Sequence, residues 1–248
     1  MTTTESETLV ARAAAAGAPV KRSYVQQMFS EIAPRYDLLN HLLSAGVDRS
    51  WRRAAIARIG WERMPAGTYL DLCAGTLDVG AALSRRTGFR GRIVGADFAE
   101  PMLRAGRGKA PCDTLLPVTA DALSLPLAGE SCDGAIVAFG IRNVADLHAA
   151  LREVHRVLRT GGRFVILEFS TPSVALVRSL FAIYFHHVLP AIGGLISGHA
   201  TAYRYLPDSV RNFPETEALA RAMSEAGFAN VSWTALTVGV ATIHVGEK

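Results

Sequence analysis

Four short segments of this chain place polar or conformationally free residues just after apolar runs, where an open α/β sheet holds its ligands. The first is Leu70-Asp71-Leu72-Cys73-Ala74-Gly75-Thr76-Leu77-Asp78, an apolar strand passing through a small-residue turn into a helix. Gly75 lets backbone approach a ligand closely, and Thr76 with the first helical N–H groups can hold a carboxylate. Only one glycine is present, so the segment is not the G-x-G-x-x-G turn that cradles a dinucleotide pyrophosphate. Taken alone, it would serve equally as a plain strand-to-helix turn. The second is Ile93-Val94-Gly95-Ala96-Asp97. An acid ending the next strand, about twenty residues after the glycine turn, can accept from both hydroxyls of a ribose. It can also simply cap the helix that follows.

The third segment is Ala120-Asp121-Ala122, whose carboxylate and following N–H suit the amino group and a ring nitrogen of adenine. Its weight is positional, as the third consecutive strand with a polar group at its carboxyl end. The fourth is Phe139-Gly140-Ile141-Arg142-Asn143-Val144, placed where a substrate would meet the reactive end of a cofactor. Arg142 offers a permanently charged donor fork, and Asn143 offers both a donor and an acceptor. The plain alternatives are a surface ion pair for Arg142 and a helix cap for Asn143. A fifth stretch, Phe29–Trp51, mixes aromatic and polar residues at helical spacing, including Tyr36, Asp37, Asn40 and Ser44. It suits a pocket roof or an amphipathic helix packed on the sheet.

The elements that must position these residues alternate in type. Apolar runs predict strands at Thr68–Cys73, Arg92–Asp97, Leu116–Ala120, Gly134–Phe139 and Arg163–Phe169. Helices are expected at Asp78–Arg86, Glu100–Arg107, Asp146–Arg159 and Glu215–Ala226, the last stopped by Gly227. The β-branched stretch Val231–Val245, turning near Gly239, reads as a final antiparallel pair. This order predicts an α/β fold with a doubly wound, mostly parallel sheet. Residues 1–22 read as a flexible tail and 23–248 as one domain. Within that domain, 23–60 form a helical cap broken at Pro34 and Gly46, and 174–210 form a helical insertion covering substrate.

The 248 residues suffice for one large α/β domain with a proper core. A net charge of +4 without any Lys/Arg block gives no support to nucleic-acid binding. Cys73, Cys112 and Cys132 have neither metal-ligand nor C-x-x-C spacing, and their odd, scattered count fits a reducing compartment. Glu5 and Glu7 precede an alanine run, unlike the basic start of a secretory signal. The expectation is a cytoplasmic protein with no metal. From Ser179 to Gly198 there is no formal charge, a length that can span a bilayer. His186, His187, Pro190 and the Gly193-Gly194 pair favour a buried or substrate-covering helical pair instead.

Phe29–Trp51 (FSEIAPRYDLLNHLLSAGVDRSW) resembles the first signature of the quinone-biosynthesis C-methyltransferases. Phe139–Val144, the run Arg156–Gly162 and Leu167-Glu168-Phe169-Ser170 look like that family's second signature. Arg211-Asn212-Phe213-Pro214 and Gly239–Gly246 are similar too, so the resemblance covers nearly all the chain from about residue 23. It implies a class I S-adenosylmethionine-dependent methyltransferase of Rossmann-like fold that methylates a ring carbon of a polyprenylated quinol. The Cys-x-Gly-Thr-x-Asp form at Cys73–Asp78 looks more like the demethylmenaquinone methyltransferases than the 2-methoxy-6-polyprenyl-1,4-benzoquinol methyltransferases.

The family's cofactor positions fall on Thr76, Asp97, Asp121 and Ala122, beside Gly75 and Asp71 of the same turn. The resemblance places Arg142 and Asn143 at the reacting centre, with Tyr36, Asn40 and Tyr203 toward the substrate. Two positions depart from the pattern. Leu77 stands where many members carry glycine, which would crowd the methionine end of the cofactor, and Ala138 replaces a serine that some members use. These departures keep a non-catalytic scaffold as a distant alternative. An NAD-dependent oxidoreductase on the same sheet is disfavoured by the single glycine. A polyprenyl tail would call for peripheral contact with the inner face of the membrane, and the sequence leaves a homodimer open.

Overall fold

The computed structural model describes residues 3–17, 20–37, 44, 46–184 and 200–248. Its centre is a seven-stranded sheet in the order β3-β2-β1-β4-β5-β7-β6. The strands are β1 (Thr68–Leu72), β2 (Arg92–Asp97), β3 (Leu115–Thr119), β4 (Cys132–Ala138), β5 (Leu158–Phe169), β6 (Ala229–Leu236) and β7 (Ala241–Glu247). The first five run parallel; β7 is antiparallel to both β5 and β6. Strand order reverses between β1 and β4, so the loops leaving those two strands diverge and open a crevice at their carboxyl ends. The expected strands all form, and the final antiparallel pair does as well. β5 starts earlier than its apolar run because Leu158 pairs with Cys132 across a bulge.

Helices α4 (Asp78–Ser84), α5 (Glu100–Gly106), α6 (Leu147–Val157) and α9 (Thr216–Glu225) follow β1, β2, β4 and the β5 crossover region, near their expected bounds. α6 begins where the Asp146 carboxylate accepts from Ala149 N–H at 2.9 Å, and its Leu151, Val154 and Val157 are buried on one face. Two apolar layers result, one on each side of the sheet, centred on Leu70, Val137 and Phe164 and on Tyr69, Ile136 and Val165. Those triplets are alternate residues of the same strands, as a two-faced sheet requires.

The N-terminal region differs from expectation. Thr3–Ala15, read as part of a flexible tail, forms helix α1. Its alanines favour helix, and Ala11, Ala14 and Ala15 are buried, with Ala14 and Ala15 in one cluster with Tyr205. Asn212 also donates to the Ala15 carbonyl at 3.2 Å, near the helix C-terminus. α2 (Lys21–Ile32) ends at a 3-10 turn, Ala33–Arg35, that contains Pro34. α3 (Val47–Ile56) starts after Gly46 at φ 76° and presses Trp51, Ala55 and Ile56 onto the sheet. α7 (Ala175–Ile183) and α8 (Ala200–Arg211) occupy the expected insertion. Much of the uncharged run through Gly198 lies outside the described residues. Among the described residues, no helix is long and apolar enough to cross a membrane.

Candidate active site

The loops leaving β1 and β4 carry the tightest backbone of the crevice. Cys73, Gly75 and Leu77 alternate through the left-handed region at φ 51°, 52° and 65°, and Phe139 follows β4 at 61°. Three of these are non-glycine residues held where a side chain is disfavoured, strain of the kind that collects at ligand sites. Gly140 lets the two loops touch, because a Cβ there would lie 2.4 Å from the Cys73 Cβ. Leu77 does not crowd the crevice. It is buried in the core, where its Cδ2 fills the space above Gly95, within 2.4 Å of where a Cβ would stand. The left-handed φ turns its side chain under the sheet, which is how a leucine is accommodated in this turn.

A first cavity runs along the carboxyl ends of β1 to β4. Gly75, Asp97, Asp121, Ala122 and Ala138 line it, together with Phe98 and Met102. Asp97 Oδ2 accepts from Gly75 N–H at 2.8 Å and Oδ1 from Ala99 N–H at 2.9 Å. Burial pushes the Asp97 carboxyl above the usual carboxylate range, and these backbone donors work against that rise. Each oxygen keeps acceptor capacity toward the cavity. Asp121 Oδ1 accepts from Leu123 N–H at 3.0 Å, while Oδ2 holds Arg22 at 2.8 Å.

Two residues expected at this cavity are not part of its wall. Asp71 lies beneath the turn, fully buried, accepting from Gly80 N–H at 2.8 Å, and burial pushes its carboxyl up to about 8. It ties β1 to the first turn of α4. The Thr76 hydroxyl donates to Asp37 at 2.5 Å and is drawn toward the N-terminal cap instead. Asp37 and Asp78 both hold Lys109, at 2.5 and 2.6 Å, and Asp78 holds Arg52 at 3.1 Å. Thus the turn after β1 is braced by charges rather than by Thr76 alone.

Helix α2 lies over the mouth of the first cavity. Lys21 Nζ donates to the Arg142 carbonyl at 2.9 Å, Arg22 pairs with Asp121, and Gln26 Nε2 donates to the Phe98 carbonyl at 2.9 Å. One helix therefore bridges the loops after β4, β3 and β2. The local pattern of residues 21–26 points to no such role, since each partner is far away in sequence.

A second cavity, about 280 Å³ in volume, opens on the other side of the β4 loop. Its walls are mainly apolar: Met28, Ile32, Trp51, Phe169, Phe181 and Leu206. Phe29, Tyr36, Phe139 and Asn143 line both cavities, so the two meet there. Arg142 and Asn143, in the 3-10 turn Ile141–Asn143, are both buried at the junction. Arg142 Nη1 donates to Glu168 Oε1 at 2.7 Å and to the Phe139 carbonyl, and Nε reaches Ser209 Oγ at 3.4 Å. Among the described residues, Nη2 makes no hydrogen bond, which leaves it as the donor available to the cavity. Asn143 is similarly held: its Oδ1 accepts from Tyr205 Oη at 3.2 Å, and among the described residues its Nδ2 makes no hydrogen bond. Burial pushes the Tyr205 hydroxyl up to about 12, keeping it a donor at neutral pH.

Glu168, buried at the end of β5, appears in the sequence reading only within Leu167–Ser170. Its Oε1 also accepts from Phe169 N–H at 2.9 Å. Burial raises its pKa and Arg142 opposes the rise. On α8, Tyr205 and Ser209 face the site, four residues apart on one helical face. The side chain of Tyr203 and all of Asn40 lie outside the described residues. Tyr205 went unremarked in the sequence because its partner, Asn143, is far away in the chain.

The comparisons with known proteins agree with this architecture. The profile of the ubiE/COQ5 methyltransferase family matches residues 18–248. A demethylmenaquinone methyltransferase from Thermus thermophilus is 50% identical over 223 residues, covering 89% of this chain and 100% of that protein. A ubiquinone/menaquinone biosynthesis C-methyltransferase UbiE from Geotalea uraniireducens is 45% identical over 232 residues, 92% of this chain and 97% of its own length. Among solved structures, a methyltransferase from Thermotoga maritima superimposes with a TM-score of 0.63 at 20% identity, covering 90% of this chain and 98% of that one. The [4+2]-cyclase SpnF gives 0.66 at 15% identity, covering 92% and 96%, a likeness of fold alone. The chain belongs to the ubiE/COQ5 methyltransferase family and is an S-adenosyl-L-methionine-dependent C-methyltransferase.

Proposed function

We propose that this chain methylates a ring carbon of a polyprenylated quinol, with demethylmenaquinol as its substrate. The observation that carries the reading is the meeting of a cavity that presents Asp97 and Asp121 at the strand ends with a larger, mainly apolar one at Phe29, Tyr36, Phe139 and Asn143. The first fits a nucleoside cofactor. Asp97 would take the ribose hydroxyls on its remaining acceptor sites, and Asp121 with the Ala122 N–H would take the adenine. Gly75 keeps the wall low beside them. S-adenosyl-L-methionine, when bound, supplies an electrophilic methyl group for in-line displacement.

The ring carbon becomes nucleophilic when the neighbouring hydroxyl ionises, and a phenol near pKa ~10 needs help at neutral pH. Arg142 Nη2 and Asn143 Nδ2 belong to neighbouring residues that both line the second cavity, and donors fixed where charge develops favour the ionised oxygen. Glu168 and Tyr205 hold those donors in place, so they need not reorganise as charge appears. A guanidinium is not deprotonated in proteins, so Arg142 acts as an electrostatic partner and the proton leaves by another group or a water.

The polyprenyl tail follows the apolar wall toward α7. There Phe181 and Tyr184 line the cavity, while Leu176, Leu180 and Ile183 are exposed at helical spacing. This supports a cytoplasmic enzyme in peripheral contact with the inner face of the membrane. The test is incubation with labelled S-adenosyl-L-methionine and either a demethylnaphthoquinol or a methoxy-polyprenyl benzoquinol, followed by product identification. Methylated naphthoquinol is expected. Benzoquinol product alone would favour the second reading, which the UbiE relative at 45% identity supports. Absence of both products overturns the proposal.

A further inference from the structure

The apolar cavity has a second polar end. Arg52, on α3, lines it with Asp48 and Ser44. Its Nη1 donates to Asp48 Oδ2 at 2.8 Å and to Asp78 Oδ2 at 3.1 Å. Asp48 Oδ1 in turn accepts from Ser44 Oγ at 2.6 Å. The Arg52 side chain is 11% exposed, so two carboxylates hold a nearly buried guanidinium still. Among the described residues its Nε and Nη2 make no hydrogen bond. These donors stand in a cavity whose other walls are mostly hydrocarbon, where an unmet N–H is costly.

The aromatic floor fixes the relation of this end to the first. The Arg52 guanidinium lies 6.0 Å from the Phe139 ring centroid, and the Arg142 guanidinium lies 5.6 Å from that of Phe169. Phe139 and Phe169 are in contact, with centroids 4.6 Å apart. Two guanidinium groups therefore flank a pair of touching rings tilted by 36°. A 1,4-quinol has the complementary form: a flat aromatic body with an oxygen at each end. We propose that Arg52 is a substrate-binding residue that donates to the quinol oxygen remote from the accepting carbon, while Arg142 and Asn143 hold the near one. This rests on the quinol reading above. It also gives the cavity a means of selecting a para-dioxygenated ring over a simple phenol. Asp78, which holds Arg52, is also held by Lys109, so the turn after β1 keeps a charge partner when Arg52 is changed.

The test pairs a substrate change with a side-chain change. kcat/KM is measured for the quinol and for an analogue carrying hydrogen in place of the remote hydroxyl, using wild-type enzyme, Arg52→Met and Arg52→Lys. Loss of a charged hydrogen bond is expected to lower the Arg52→Met value on the quinol by about 10- to 100-fold. The same variant should act on the deoxy analogue nearly as well as wild type does. Because the comparison is a ratio, differences in the intrinsic reactivity of the two rings cancel. Arg52→Lys should fall between. S-adenosylhomocysteine affinity, read by calorimetry, should be unchanged in all three proteins. If Arg52→Met lowers both substrates equally, Arg52 has only a structural role and the proposal is overturned. Should Arg52→Met fail to fold, Arg52→Lys carries the same comparison, and equal losses on both substrates again overturn it. Wild-type inactivity on both compounds would instead remove the quinol reading, and this proposal with it.

Discussion

Replacing Glu168 with alanine takes away the carboxylate that orients Arg142 and leaves a guanidinium in a site where the arginine is only 9% exposed. The lost partner sits at 2.7 Å and is itself 1% exposed, so water cannot readily take its place. Breaking a buried ion pair by removing one member costs about 3–5 kcal/mol. Phe169 N–H also loses its 2.9 Å acceptor, worth about another 1 kcal/mol. Against a typical domain stability of about 5–15 kcal/mol, this is a large fraction. Urea unfolding at neutral pH measures it. The double variant Glu168→Leu with Arg142→Met should recover most of the loss, because an apolar pair of similar volume has no charge to leave unpaired. A loss below about 1 kcal/mol in Glu168→Ala would refute the ion-pair argument. So would a double variant as unstable as the single one. Glu168→Gln separates charge from geometry. It keeps an acceptor but leaves Arg142 uncompensated, which should favour ionisation of the substrate hydroxyl. The acid limb of the turnover–pH profile should then move to lower pH; movement the other way would contradict the proposed role of Arg142.

Arg142→Ala should lower kcat by about 10²–10³-fold, the range for removing one donor from a developing oxyanion. S-adenosylhomocysteine affinity should change little; collapse of cofactor binding with turnover intact would reverse the assignment. Asp97→Ala should do the opposite, weakening S-adenosylhomocysteine binding by about 10- to 100-fold in calorimetry while sparing turnover at saturating cofactor. Asp71→Asn tests the buried acid under the turn. Its pKa rises from 3.8 in the unfolded reference to about 8 in the fold, so its favourable contribution is full below about 4 and is lost as pH climbs to about 8. Wild type should lose about 4 kcal/mol relative to the variant between pH 5 and pH 8, at about 1.4 kcal/mol per pH unit. Parallel urea stabilities across that range would count against the assignment.

Local pattern was enough for the sheet. The strand bearing Leu70 and Leu72 is an apolar run bounded by turn residues, and so is the one bearing Ile93 and Val94. Once such runs alternate with helices, a parallel sheet with ligands at its carboxyl ends follows from connection rules. For the same reason the positions of Asp97, Asp121, Arg142 and Asn143 at the carboxyl edge of the sheet were legible: each ends a strand or lies in the loop after one. What the pattern missed lies in contacts between residues far apart in the chain. Residues 3–15 read as a tail because their helix is stabilised by burial against Tyr205 of α8, which alanine spacing does not announce.

Sequence by itself determined the α/β order, the one-glycine turn, the acids at the strand ends and the family signatures. These are properties of neighbours in the chain: periodicity, turn chemistry and spacing. Only the tertiary structure decided which of those groups line a cavity. Asp71 and Thr76 belong to the turn, yet one is buried beneath it and the other is bound to Asp37. Leu77 was set to obstruct the cofactor, and a left-handed φ sends it into the core instead. Glu168 meets Arg142, Tyr205 meets Asn143 and Arg52 meets Asp78 through side chains brought together by the sheet and the helices over it. Buried charges must find partners wherever the fold supplies them, and no local spacing rule records where that will be.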